Sequence, residues 1–392
     1  MSSTEGNPEK MNQTVTPPAY SPGLEGIIAG TTNICTINPE TQTLLYRGYD
    51  IQDLMQKSPF EETAYLLIHG ELPTADQLAS FTSILVSERG IAPEVSDMIA
   101  KFPTDAHPMD ALRAGLALQG LFDPDKNDNS NDANIRKAVR IIAKMPTITA
   151  TFSHAKAGTP VPAIQGTDLS HAEHTLYMLL SKKPNAITAK VFNSTLVIYA
   201  EHSFNASTFA ARVTTSTLSD IYSGVGAAIG ALKGPLHGGA NEQAMLTFLD
   251  VGSPDNVDAW LEKALSEKRK IMGFGHRAYK NGDPRARLLK EMGKEYIAAV
   301  DPDSPWPAIA NRLEDLMTEK KGLFPNVDYP IAYLYFMMEI PTEVYTPIFA
   351  IGRSAGWTAH VVEQLANNRL IRPKALYEGA PQREYPNLST RG

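Results

Sequence analysis

Residues 33–70, NICTINPETQTLLYRGYDIQDLMQKSPFEETAYLLIHG, carry the clearest strand signal of the chain and also the point where that signal ends. In NICTINPETQTLLYRGYDI, β-branched and apolar residues flank the turn-forming NPET, which predicts a short β hairpin. From Ile51 onward the apolar residues return at intervals of three and four, as in Phe60, Ala64 and Leu67 behind a cap-like Ser58-Pro59, the mark of an amphipathic helix. Helical patterns recur at 75–89, 108–121, 133–153, 168–182, 187–201, 206–232, 240–250, 256–267, 284–299, 305–319, 329–339 and 345–367. The expected fold is therefore all-α, with many helices and a short N-terminal β hairpin. No internal repeat with a period of roughly 20–50 residues is evident, which argues against a solenoid.

The 392 residues are 43% hydrophobic and 20% charged, the composition of a soluble globular protein with room for two domains. Residues 1–23, rich in Ser, Thr, Pro, Asn and Gly, read as a flexible N-terminal tail. That opening lacks the basic-then-apolar order of a signal peptide, and no apolar run reaches the roughly 18–20 residues a membrane span needs. A cytoplasmic protein without a membrane partner is expected. A net charge of -7 argues against a nucleic-acid partner, so an anionic substrate would need a local cluster of arginines. The single cysteine, Cys35, excludes an internal disulfide and reads as a small buried residue. The polar DPDKNDNSND at 123–132 reads as a surface connection without chemistry.

Two histidines stand between glycines, His237 in GPLHGGANE and His276 in GFGHRAYKNGDPR. Glycine lets backbone and ligand approach closely, so both are placed to touch a substrate, although a hydrogen-bonded loop histidine would look the same. His202 ends a helical pattern in YAEHSFNAST, where a helix C-terminus could satisfy it, and Asn205, Ser207 and Thr208 supply caps for the next helix. Asp328 in FPNVDYP precedes an apolar helix, where a capping aspartate is the default reading. Arg285, Arg353 and Arg372 lie near helix boundaries or beside Pro or Gly; converging guanidinium groups would hold a small di- or trianion, but spacing alone cannot bring them together.

Other patterns are set aside. SGVGAAIG at 223–230 has Ile229 where a dinucleotide fingerprint needs its third Gly or Ala, and reads as small-residue helix packing. His171 and His174 in HAEH are one helical turn apart and read as an exposed helix face rather than a metal pair, since no third ligand is evident. G-x-S-x-G and GxxxxGK[ST] are both missing.

The run EHSFNASTFAARV with YSGVGAAIGALKGPLHGGANE, then MGFGHRAYKNGDPRA, FPNVDYP, TPIFAIGRSAGWTAH and NRLIRPKALYEG, closely resembles the citrate synthase family in order and spacing, from RGYDI at 47 to YEG at 379 and including HPMDALR at 107–113. The resemblance implies a large domain over 24–236 and 335–392, a small domain over 237–334, an active site in the cleft between them, and a homodimer or higher homo-oligomer that completes each site. It implies His237, His276 and Asp328 as catalytic residues: Asp328 the base for the methyl group of acetyl-CoA, His237 the donor to the thioester oxygen, His276 the group that polarises the ketone of oxaloacetate and supplies a proton to the new alkoxide. His202, Asn205, Arg285, Arg353 and Arg372 would bind oxaloacetate, Arg372 serving the other subunit's site. Met272, Gly273, Phe274, Gly275 and Lys280 would line the coenzyme A portion. Acetyl-CoA is a substrate in this scheme, and no cofactor or metal is expected.

The middle of His202-Ser-Phe-Asn205, Tyr329-Pro330 and Met337-Met338-Glu339 depart from the commonest family wording. The acyl pocket is therefore left open: citrate synthase acting on acetyl-CoA leads, and 2-methylcitrate synthase acting on propionyl-CoA is the alternative. Two readings from other classes are a metal-dependent hydrolase using His171, His174 and His202, and a helical binding module.

Overall fold

The computed structural model describes residues 20–164, 169–276, 279 and 282–391, and among these sixteen α-helices and one three-stranded sheet are found. Two compact units are distinguished, one made of Met1–Thr31 with Arg372–Gly392, the other of Thr32–Ile371. Most of the tail expected at 1–23 lies outside the described residues. Among the described residues of the terminal unit the regular structure is limited to single 3-10 turns at Pro22–Leu24 and Leu388–Thr390.

In the main unit the hairpin forms as expected, with β1 (Cys35–Asn38) antiparallel to β2 (Thr43–Tyr46) in the register Cys35 to Tyr46 and Asn38 to Thr43. Its turn closes because the Asn38 side chain accepts from the Glu40 and Thr41 amides at 2.9 and 3.1 Å. A third short strand, β3 (Tyr49–Asp50), pairs with β2, and Asp50 then caps the first helix by accepting from Gln52 N. Cys35 is buried as expected, and burial pushes its thiol well above the ordinary range. Buried Tyr46 reaches out of the sheet and donates to the carbonyls of Glu201 and Ile198 at 2.8 and 3.0 Å, which pins the end of the Ala186–Tyr199 helix in front of His202.

The helices are close to those the periodicity predicts, and Pro108–Leu121 coincides. Two differences have local causes. The pattern over 206–232 divides into Ala206–Thr215 and Ile221–Leu232, because Leu218 adopts a left-handed φ of 67° and Asp220 starts a new helix by accepting from Ser223 N. A short helix at Pro93–Ile99, begun by a proline at its first position, falls outside the predicted set. The small residues of SGVGAAIG do pack helices closely, since a Cβ on Gly224 would stand 2.6 Å from Thr215 Cγ2.

The Tyr345–Ala366 helix is buried along most of its length among Asn131–Ala157, Ala186–Tyr199, Ala206–Thr215 and Ile221–Leu232. Its approach to the His202 segment is closest at Gly356, whose amide donates to Ala200 O at 3.0 Å and where a Cβ would stand only 2.3 Å from that oxygen. No side chain other than glycine fits there, and this closeness sets Arg353, one turn earlier, beside Tyr199.

The 123–132 segment is more than a surface connection. Asp123 is buried, accepts from Arg140 at 3.0 Å and from Tyr222 OH at 2.6 Å, and so fastens the loop to two helices. His171 and His174 correct a second expectation, because both are buried rather than exposed; His171 stacks on Phe60 with centroids 5.0 Å apart. Burial drives both imidazoles below their ordinary value, His174 to about 3, so they are neutral core residues. Among the described residues no cluster of three or more His, Cys, Asp and Glu side chains is arranged to hold a metal ion, and none of the helices is long and apolar enough to cross a membrane.

Candidate active site

Two motifs some fifty residues apart are joined by backbone pairing. Phe274 bridges Pro325, Gly275 N donates to Phe324 O at 2.8 Å, and Asn326 N donates to Gly273 O at 2.9 Å. The segment can make this bend because Gly273 has φ of 89°, with Tyr329 so close that an added Cβ would lie 2.8 Å from its ring. His276 and Asp328, each just beyond the bridge in its own segment, are thereby brought to one cavity. This cavity, of about 630 Å³, is lined by His202, His237, His276, Arg285, Asp328 and Arg353, with Phe274 and Gly275 in one wall.

Asp328 is not a helix cap, for the capping position of the Asp328–Met337 helix is Val327 and no side chain caps it. Its carboxylate is buried and accepts at Oδ1 from the Tyr199 hydroxyl at 3.1 Å. Burial raises its pKa to about 6 even though Tyr199, Arg285 and Arg353 favour the anion. A carboxylate of that basicity, half committed to a hydrogen bond and with its other oxygen left for the cavity, is suited to accept a proton from a weak acid near neutrality.

His237 is held by Ser207. The Ser207 hydroxyl lies 2.9 Å from His237 Nε2 and also 2.7 Å from Asn205 Oδ1, so its single proton has two acceptors in reach. The Ser207 backbone N–H, which can only donate, also meets Nε2 at 3.3 Å. Nε2 therefore presents its lone pair, and the ring proton sits on Nδ1. Burial first, then Arg353, lowers this imidazole to about 4, so it is a neutral donor at physiological pH.

His276 is likewise lowered to about 4, by burial and then by Arg285, whose Nη2 is 3.4 Å from its Nε2. His202 packs edge-on to it with centroids 5.1 Å apart, and its buried Nε2 has no hydrogen-bond partner among the described residues. A buried ring nitrogen in that state at a cavity wall is open to a hydrogen bond from or to a ligand.

Arg285 is fully buried and gripped by Asp283 through two bonds, Nε to Oδ1 at 3.0 Å and Nη2 to Oδ2 at 2.8 Å. Burial works against the guanidinium charge, but Asp283 outweighs it and holds the arginine above its ordinary value. Asp283 also caps the Pro284–Val300 helix by accepting from Arg285 N and receives Val327 N at 3.1 Å, so one carboxylate joins Arg285 to the residue before Asp328. Arg353, with its Nε on Tyr199 O, lies over the Phe349 ring at 4.8 Å.

The expected residues thus fall into distinct situations. His202, His237, His276, Arg285, Asp328 and Arg353 converge. Asn205 lines the same cavity, but its Oδ1 is occupied by capping the Ala206–Thr215 helix and its Nδ2 bonds Thr208 Oγ1 at 3.0 Å. Phe274 and Gly275 form wall, whereas Met272 and Gly273 do not line the cavity, Gly273 making the bend behind it. Lys280 lies outside the described residues, and Arg372 belongs to the terminal unit. Tyr199, Asp283 and Ser207 are the supporting residues that sequence reasoning did not assign to the site.

The chain is similar in sequence and fold to known proteins. Residues 23–374 match the family described as "Citrate synthase, C-terminal domain". The chain is 46% identical over 367 residues to the citrate synthase of Mycolicibacterium smegmatis, covering 93% of this chain and 97% of that one. It is 42% identical to the 2-methylcitrate synthase of Mycobacterium tuberculosis, covering 94% of this chain and 93% of that one. Among solved structures, the citrate synthase of Thermoplasma acidophilum in its ternary complex with carboxymethyl coenzyme A and oxaloacetate superposes with a TM-score of 0.88 at 33% identity, covering 95% of this chain and all of that one.

Proposed function

The chain belongs to the citrate synthase family, and from that premise we propose that it condenses the methyl carbon of acetyl-CoA with the ketone of oxaloacetate and hydrolyses the resulting thioester to citrate and free CoA. The observation that carries this reading is the meeting of a basic buried carboxylate with two neutral histidines at one cavity wall that also holds two arginines.

In this scheme the dianion of oxaloacetate binds between Arg285, Arg353 and His202, with Arg372 contributed by the second subunit of a homodimer. Asp328 removes a methyl proton from acetyl-CoA. The electron pair left on carbon delocalises onto the thioester oxygen, where His237 Nδ1–H stabilises the growing charge; without such a donor a carboxylate could not ionise so weak an acid. The enolate carbon attacks the ketone carbon, whose C–O π pair becomes an alkoxide and takes a proton through His276. Water then attacks the thioester carbonyl and the thiol of CoA leaves. The work is divided between protein groups and water, with no resident cofactor or metal. The small domain, 237–334, closes over the large one once oxaloacetate is bound, which shields the enolate from solvent. A cytoplasmic location is part of the same proposal.

Propionyl-CoA is the competing thioester, because one of the relatives is a 2-methylcitrate synthase. One extra methylene in an apolar pocket changes discrimination by only about 1–3 kcal/mol, so both thioesters are expected to turn over. The test is kcat/KM for each thioester, with thiol release followed by a chromogenic reagent. Acetyl-CoA is expected to give the higher value; a higher value for propionyl-CoA would make 2-methylcitrate the product.

A further inference from the structure

We propose that Tyr199 is a positioning residue for Asp328, its hydroxyl, oriented by Asn241, fixing one carboxylate oxygen so that the other faces the substrate; this rests on the condensation reading above. Tyr199 is the last residue of the Ala186–Tyr199 helix and is fully buried, with its ring 4.0 Å from that of Phe349 between centroids. Its hydroxyl is 3.1 Å from Asp328 Oδ1, and Asn241 Nδ2 reaches the same hydroxyl oxygen at 3.3 Å. An amide NH₂ can only donate, so the phenol oxygen accepts from Asn241 and its own proton is directed to Asp328. The chain of donors runs Asn241 to Tyr199 to Asp328, from the GPLHGGANE segment to the FPNVDYP segment.

Other charged or titratable groups face this carboxylate: Arg285 and Asp283 from the start of the Pro284–Val300 helix, Arg353 from the Tyr345–Ala366 helix, and Tyr335 from its own helix. Among the described residues Tyr199 is the one that hydrogen-bonds it. The phenol stays protonated, since burial and then the Asp328 charge push its pKa well above the ordinary value. Packing alone would be served equally by phenylalanine; a buried hydroxyl is costly unless it makes its bond. Removing the hydroxyl takes a stabiliser from the anion and not from the acid, so the proton affinity of Asp328 must rise.

The experiment titrates Asp328 directly, by carbon NMR of protein carrying aspartate labelled at its carboxyl carbon, with Asp328→Asn identifying the resonance. The parent midpoint is expected near the raised value of about 6. Tyr199→Phe is expected to move it up by about one unit, the scale of a hydrogen bond to a charged group. The acid limb of kcat should move with it, kcat on the plateau should fall roughly 10- to 100-fold, and KM for oxaloacetate should stay unchanged. Should Tyr199→Phe fail to fold, Asn241→Leu frees the phenol to rotate and should move the midpoint less but in the same direction. An unmoved midpoint in the folded variant overturns the proposal. The titration needs no turnover: a shifted midpoint in a protein whose parent releases no thiol would refute the condensation reading and leave the Tyr199 assignment standing.

Discussion

Asp328→Asn is expected to lower kcat by roughly 10²–10⁴-fold, the usual contribution of a positioned general base, while the protein stays folded and binds oxaloacetate at near the parent affinity. The substitution isolates the chemistry because nothing structural depends on the negative charge. The Asp328 side chain caps no helix, and an amide carbonyl can still accept from Tyr199. Burial disfavours the anion, so a neutral amide of the same size relieves a cost and adds none. What asparagine cannot do is take a proton from carbon at neutral pH. Measuring kcat, thermal midpoint and oxaloacetate affinity on one preparation checks this. A folded variant keeping more than half of the parent kcat would remove Asp328 from the role of base.

Asp283→Ala should be the most destabilising single change at the site, by about 3–5 kcal/mol, because it leaves the buried Arg285 charge without its partner. Both side chains are almost fully buried, and the carboxylate also serves the Arg285 and Val327 amides, so three kinds of bond are lost together. Burial opposes the Asp283 charge, but Arg285 outweighs it and holds the carboxyl below the usual carboxylate range. The pair is therefore intact at neutral pH, and its contribution is lost as pH falls through the lowered folded-state pKa. Replacing both partners by apolar residues, Asp283→Leu with Arg285→Met, should restore much of the lost stability, since no unpaired charge remains, yet oxaloacetate affinity should not return. Urea midpoints of parent, single and double variants give the comparison. A cost below about 1 kcal/mol for Asp283→Ala would mean that Arg285 keeps its charge through other groups.

Much of this was legible in the residues. The hairpin follows from NPET and its β-branched flanks, and the helices follow from apolar residues three and four apart, because both signals are local. The His–Gly motifs single out His237 and His276, but His202 and Asp328 read locally as helix-end residues and the arginines cannot be brought together by spacing, so the set as a whole came only with the family resemblance. What stayed hidden depends on distance or on ambiguity. Nothing in GFGH and FPNVD shows that Phe274 bridges Pro325, since the pairing is made by backbone atoms in segments far apart in sequence. Asp283 precedes a proline at a helix start and reads as a cap, which it also is; its grip on Arg285 needs three dimensions. Tyr199 ends the apolar run STLVIY and reads as core, its hydroxyl contributing nothing to the pattern. His171 and His174 read as exposed because a polar pair one turn apart normally faces water, whereas here both are buried, His171 beneath Phe60.

The central claim, that this cavity joins the acyl methyl group to a keto acid, is tested most directly by following thiol release from acetyl-CoA with and without oxaloacetate while counting the oxaloacetate consumed. One thiol released per oxaloacetate consumed, with release dependent on oxaloacetate, is the predicted result. Thiol release at the same rate without oxaloacetate would describe a thioester hydrolase, and no release from acetyl-CoA or propionyl-CoA with oxaloacetate present would describe a binding module; either would contradict the account.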